Sequence, residues 1–134
     1  MTIKIKKGTV IADVQCRFRS AFPFLKIEFS DKAHQTGEAT VGGHWYRSET
    51  KVRSIIKKLL PIEIVIRPWD KTGDVERKFE QTLGLHAQIF RKDEQRWIQT
   101  AGTDIFTLDE QNEIGRRLEE KTSGISHLER ENLL

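Results

Sequence analysis

The chain has 134 residues, 37% of them hydrophobic and 32% charged, with a formal net charge of +3. That is enough chain for one domain and enough apolar side chains for one small core, which excludes wholesale disorder. No apolar run approaches the roughly 20 residues of a membrane span, and none follows the N-terminal lysines as a secretory leader requires. Cys16 is the single cysteine, so an internal disulfide is excluded and a reducing cytoplasm is the expected compartment.

Taken in chain order, Ile3-Lys4-Ile5 alternates apolar and charged residues, the period of a half-buried strand. Val10, Val14, Phe18, Ala21 and Phe22 then recur at spacings of three and four and predict a helix, capped by Thr9 and stopped by Pro23. Phe24–Phe29 reads as a second strand. The stretch DKAHQTGEATVGGHWY is polar and glycine-containing, hence loop. In RSETKVRSIIKKLL, Val52, Ile55, Ile56, Leu59 and Leu60 form a stripe that predicts an amphipathic helix, capped by Ser48 and ended by Pro61.

Ile62–Ile66 alternates again and predicts a strand. Val75, Phe79 and Leu83 mark a helix with Asp70 or Thr72 as its cap and Gly84 as its stop. His86–Arg91 is a strand whose apolar phase is displaced by one residue. A hairpin turning at Lys92–Gln95 leads to a short strand through Trp97 and Ile98. Thr107-Leu108-Asp109-Glu110 is a capping box. The helix it opens is expected to run to about Lys121, with Leu108, Ile114 and Leu118 as a thin apolar face and Gly115 in its interior. The domain is therefore drawn as residues 1–121, with 122–134 as a mobile tail.

A shift of 61 residues lays residues 3–29 on 64–90 without a gap: Ile3 falls on Ile64, Val14 on Val75, Phe18 on Phe79 and Phe29 on Phe90. Each segment reads strand–helix–strand. The expected fold is α+β, with duplicated βαβ units forming a ferredoxin-like (or ubiquitin-like) mixed sheet carrying extra helices.

The strings FPFLKIEF and LGLHAQIFRK, followed by Trp97 and TDIFTLDEQNE, resemble a family of small bacterial hypothetical proteins. The resemblance spans most of residues 3–115 and implies one domain. That family has no established activity, so the resemblance transfers no site.

Catalytic signatures are weak. His34 and His44 share a loop with Asp31 and Glu38, but their spacing specifies no metal geometry. Cys16 lies among Arg17, Arg19 and Ser20 without a positioned base. Asp13 and Asp74 are first-turn carboxylates that complement helix dipoles. Gly37, Gly42 and Gly43 lack the Gly-Lys-Ser/Thr ending of a phosphate loop. No cofactor and no metal is expected.

Charge is more informative. Residues 1–67 carry a balance of +7 and residues 68–134 one of −4. Two basic surfaces are candidates for an anion: Lys4, Lys6, Lys26 and Arg67 on the open sheet face, or Lys51, Arg53, Lys57 and Lys58 on the intervening helix, with Phe24 and Phe90 as aromatic edges. The sequence thus supports first a non-catalytic protein-interaction module with a protein partner. An RNA- or DNA-binding surface comes second, and an enzyme with a site near the 34–46 loop third; the oligomeric state stays open.

Overall fold

Alternation and four-residue stripes resolve into eight principal elements in a computed structural model of the chain. It describes residues 1–31 and 45–132, with side chains to residue 122. The elements are β1 (Thr2–Ile5), α1 (Ile11–Ala21), β2 (Leu25–Ser30), β3 (Ile62–Val65), α2 (Thr72–Leu83), β4 (His86–Asp93), β5 (Arg96–Gln99) and α3 (Leu108–Asn132), with short 3-10 turns at Val52–Ser54 and Ala101–Thr103. The fold class is α+β, and no described helix is long and apolar enough to cross a membrane.

Among the described residues the strands make two antiparallel sheets, not one: a ribbon of β1 and β3, and a three-stranded sheet in the order β2–β4–β5. The expected single mixed sheet is corrected by this pairing, because β2 joins β4 and leaves β1 with β3 alone. In the ribbon, Ile3 lies opposite Ile64 and Ile5 opposite Ile62. Ile3, Ile5, Ile64 and Ile66 turn into the core, while Lys4, Lys6, Glu63, Val65 and Arg67 face outward, as the alternation requires.

α1 packs on β2 and α2 on β4. Val14 and Phe18 on one helix, and Val75 and Phe79 on the other, are fully buried. The Phe29 and Phe79 rings meet edge-on at 5.3 Å and join the two halves of the core. The buried face of α1 is Ile11, Val14, Phe18 and Phe22, which corrects the expected use of Val10 and Ala21 by a small rotation.

At a spacing of 61 residues the buried Val14 and Phe18 correspond to the buried Val75 and Phe79, and that spacing ends at the turn that follows the helices. Ile27 lies opposite Ile89, whereas Gln88 lies opposite Glu28 on the other face. The inward residues are Leu25, Ile27 and Phe29 in one half and Leu85, Ala87 and Ile89 in the other, a shift of 60 (Leu25 onto Leu85). The displaced apolar phase of the fourth strand is this missing residue: Phe22-Pro23-Phe24 is replaced by the shorter Leu83-Gly84. Gly84 closes α2 in the left-handed conformation at φ 73°, its N–H donating to the Glu80 carbonyl.

The helix expected near residues 47–60 does not form; only the Val52–Ser54 turn does. The backbone there is committed elsewhere. The Ser48 and Thr50 carbonyls accept the Ala12 and Ile11 N–H groups at 2.8 and 2.9 Å, and the Val52 N–H donates to the Thr9 carbonyl at 3.0 Å. These bonds close the N-terminus of α1, so Thr9 is not its cap; the Thr9 hydroxyl accepts the Lys6 N–H instead. α2 is closed in the same way. The Thr72 and Gly73 N–H groups donate to the Phe106 and Asp104 carbonyls at 2.9 and 3.0 Å, and neither Asp70 nor Thr72 supplies a side-chain cap. Both helices therefore satisfy their orphan donors with main-chain carbonyls brought from a later segment.

At α3 the Thr107–Glu110 capping box is present, each side chain accepting the other residue's N–H at 3.0 and 3.1 Å. The helix continues to Asn132, beyond the expected end at Lys121. Its packed face is Leu108, Gln111 and Gly115, not Leu108, Ile114 and Leu118.

Candidate nucleic-acid interface

The two predicted basic surfaces are not assembled as expected. Lys4, Lys6 and Arg67 are exposed on the ribbon, where Lys4 lies 3.9 Å from Glu63. Lys26 sits on the other sheet, because β2 is not a neighbour of β1. Without a helix at 47–60, Lys51, Arg53 and Lys57 are separate exposed cations, and the Lys58 ammonium donates to the Gln81 carbonyl at 2.7 Å. His34, His44, Glu38 and most of the 34–46 loop lie outside the described residues. Among the described residues no group of three His, Cys, Asp or Glu side chains is placed to hold a metal.

What the structure does bring together is one face of the three-stranded sheet. Direct opposition puts Lys26 (β2), Phe90 (β4) and Gln99 (β5) in one row, and Lys92 and Trp97 in the next. Side chains of opposed residues share a face, so Lys26, Phe90, Lys92 and Trp97 project together. The Lys26 ammonium stands 5.0 Å from the Phe90 ring centre and 5.3 Å from that of Trp97. Lys92 stands 5.3 Å from Trp97, and the Arg19 guanidinium reaches over from α1 to 4.9 Å from the same ring. Trp45, bridged to Ser30 beside β2, packs edge-on against Phe90 at 5.7 Å.

Three cations thus converge on one half-buried indole, with a second indole beside them. Cation–π attraction holds such an array together at about 0.5–1 kcal/mol per exposed pair. Among the described residues Glu28, 4.0 Å from Lys26, is the carboxylate paired with this array. Among the described residues the positive charge is therefore incompletely neutralised; Phe90 is buried, and the open aromatic surface is that of Trp45 and the half-buried Trp97.

Behind this face lies a buried polar group that sequence reading passes over. Glu76 on α2 accepts the Ile89 N–H through Oε2 at 2.8 Å, at the point where β5 has ended. The Thr100 hydroxyl donates to the Ile89 carbonyl at 2.9 Å. Burial pushes the Glu76 carboxyl up to about 8, with the Asp104 charge adding to the rise and the Ile89 N–H opposing it. Its role is to complete the β4 ladder. Gln111 is a second such group: it accepts from Arg91 at 2.8 Å and donates to the Thr103 carbonyl and hydroxyl at 2.8 and 2.7 Å. Its spacing from Leu108 on a helix was the available signal. Cys16 is exposed.

The expected aromatic edges are not formed. Phe90 lies on β4, the central strand of its sheet, and is buried, whereas Phe24 packs under α3, with its N–H donating to Asn112 Oδ1 at 2.8 Å. Comparison with family models, with curated proteins and with solved structures gives no match.

Proposed function

We propose that the chain is a non-catalytic binding domain that takes a single-stranded nucleic acid on the face built by Lys26, Phe90, Lys92, Trp97 and Arg19. The observation that carries this reading is the convergence of Arg19, Lys26 and Lys92 on the Trp97 ring within 5.3 Å. Single strands are bound by this combination: aromatic faces stack bases whatever their identity, and nearby cations follow the phosphates. Duplex DNA fits less well, because a half-buried indole on a flat sheet cannot enter a groove and read base edges.

A duplicated strand–helix–strand unit is part of the proposal. Its support is the recurrence of like features: Ile3 opposite Ile64, the paired helix stripes, and the two helix N-termini closed by later carbonyls. The platform arises where the copies diverge, since β5 and its Trp97 have no counterpart after β2.

Titration of a labelled oligouridine decamer, read by fluorescence anisotropy, tests the function. Affinity should fall with salt at a log–log slope of about −2, from about 0.7 per cation for three cations on a single strand. Trp97→Ala should weaken binding by about 5- to 100-fold, the effect of losing one stacked base. A variant that binds as well as the parent protein would refute the platform.

A further inference from the structure

The ribbon has two outer edges, and the fold treats them differently. Met1 and Ile66 exchange both backbone bonds, at 2.7 and 2.9 Å. Antiparallel pairing alternates, so Ile3 and Ile5 are the next bonded residues, and Thr2 and Lys4 turn their N–H and C=O groups away from β3. By the same count Val65 turns its carbonyl away from β1. That carbonyl is occupied: the Lys78 ammonium of α2 donates to it at 2.7 Å. Lys78 therefore blocks the β3 edge.

The residue at the matching place on α1 is Arg17, by the shift that lays Val14 on Val75. It makes no such plug. Instead a cleft of about 520 Å³ separates α1 from β1, lined by Thr2, Ile3, Lys4, Lys6, Asp13 and Arg17, among others. Ile3 and Lys4 point to opposite faces of the ribbon, yet both line this cleft, so it opens on the strand's edge. No β3 residue is among those that line it. The edge ends at Lys6, whose N–H is taken by the Thr9 hydroxyl at 2.9 Å and whose carbonyl accepts the Thr9 N–H at 3.2 Å.

The cleft is electropositive. Lys4, Lys6 and Arg17 face one carboxylate, Asp13, which already accepts the Val10 N–H at 2.9 Å. Lys4 reaches Glu63 only at 3.9 Å, with both side chains about 60% exposed, a weak pair. Among the described residues this strand edge is unpaired; such an edge wants backbone donors and acceptors, and its cationic walls want acidic side chains.

We infer that this cleft binds an extended acidic peptide of a partner protein, which adds to β1 as a third strand of the ribbon. The peptide main chain bonds to Thr2 and Lys4, and its carboxylates meet Lys4, Lys6 and Arg17. Strand addition takes affinity from the main chain and specificity from alternate side chains. A nucleic acid is the poorer fit, because it offers phosphates to the cations but no repeating amide to the edge. The inference uses a different sheet from the nucleic-acid face and does not rest on that reading.

The test is an amide-resolved NMR titration of ¹⁵N-labelled protein at low salt with a peptide of four Glu-Val repeats. The Thr2 and Lys4 amides should shift saturably, and the same peptide N-methylated at every amide should produce no saturable shift there. A Lys6→Glu/Arg17→Glu variant, changed only at exposed positions, should bind at least tenfold more weakly. Three outcomes overturn the inference: no saturable shift at these amides, equal binding of the N-methylated peptide, or an oligouridine decamer that gives the same shifts at lower concentration. None of them bears on the Trp97 platform, whose variant is read separately.

Discussion

Glu76→Gln should melt at a higher temperature than the parent protein at pH 8, and the two should converge near pH 5. Glu76 is a buried acid whose proton is held up to about 8 in the folded state, against an ordinary value of 4.5. The folded chain therefore binds one more proton than the unfolded chain between those two values. Stability falls as pH rises through that window and levels off above about 8. Each unit of separation is worth about 1.4 kcal/mol, so the decline between pH 5 and pH 8 is on the order of 3 kcal/mol. Glutamine keeps an oxygen for the Ile89 N–H and carries no charge to desolvate. Circular-dichroism melts at pH 5, 6, 7 and 8 decide the matter. If Glu76→Gln is the less stable protein at pH 8, the carboxylate is ionised and paired in the fold, and the account of the β4 terminus is wrong.

That buried carboxyl shows where the sequence is legible and where it is not. Period-two isoleucines and four-residue stripes are local signals of burial, so β1, β3, the apolar stripe of α2 and the Val14–Phe18–Phe22 part of the α1 face follow from them directly. The 48–60 stretch carries an equally good stripe and is nevertheless not a helix. Its carbonyls at Ser48 and Thr50 serve the N-terminus of α1, and Leu59 is 93% exposed. A propensity signal loses to a partner that the local sequence cannot name. Thr9, Asp70 and Thr72 have the chemistry of caps, but main-chain carbonyls from later in the chain take that place.

The Trp97 cluster was illegible for a different reason. Phe90, Trp97, Lys26 and Lys92 converge only if β2 pairs with β4 in one register, and a slip of one residue would send Phe90 inward. The displaced phase of the fourth strand was visible, but nothing local said which neighbour would absorb it. Arg19 was visible too, as a charge beside Cys16. Its position over Trp97 follows only from the packing of α1 on β2.

Gly115→Ala should destabilise the protein by about 1–3 kcal/mol, although alanine is the better helix former by about 1 kcal/mol. A β-carbon at this position would lie 2.8 Å from Phe24 Cβ and 3.3 Å from the carbonyl oxygens of Phe24 and Lys92. None of these is the far end of a flexible side chain. Phe24 is held by Asn112 at 2.8 Å, and its carbonyl accepts the Lys92 N–H at 2.9 Å. The helix must therefore lift, and the Asn112 bond is the first to lengthen. Urea unfolding measures the cost, and amide exchange at Phe24 should quicken with it. Lys121→Ala, on the same helix but exposed and off the face that carries Gly115, should leave both unchanged. A fully stable Gly115→Ala protein with a protected Phe24 amide would mean that α3 does not press on β2 and β4 as closely as this. Lys92 belongs both to this contact, through its carbonyl, and to the Trp97 cluster, through its ammonium. The glycine that looks like a weakness in a thinly apolar helix is therefore the position that lets α3 support the Trp97 cluster from behind.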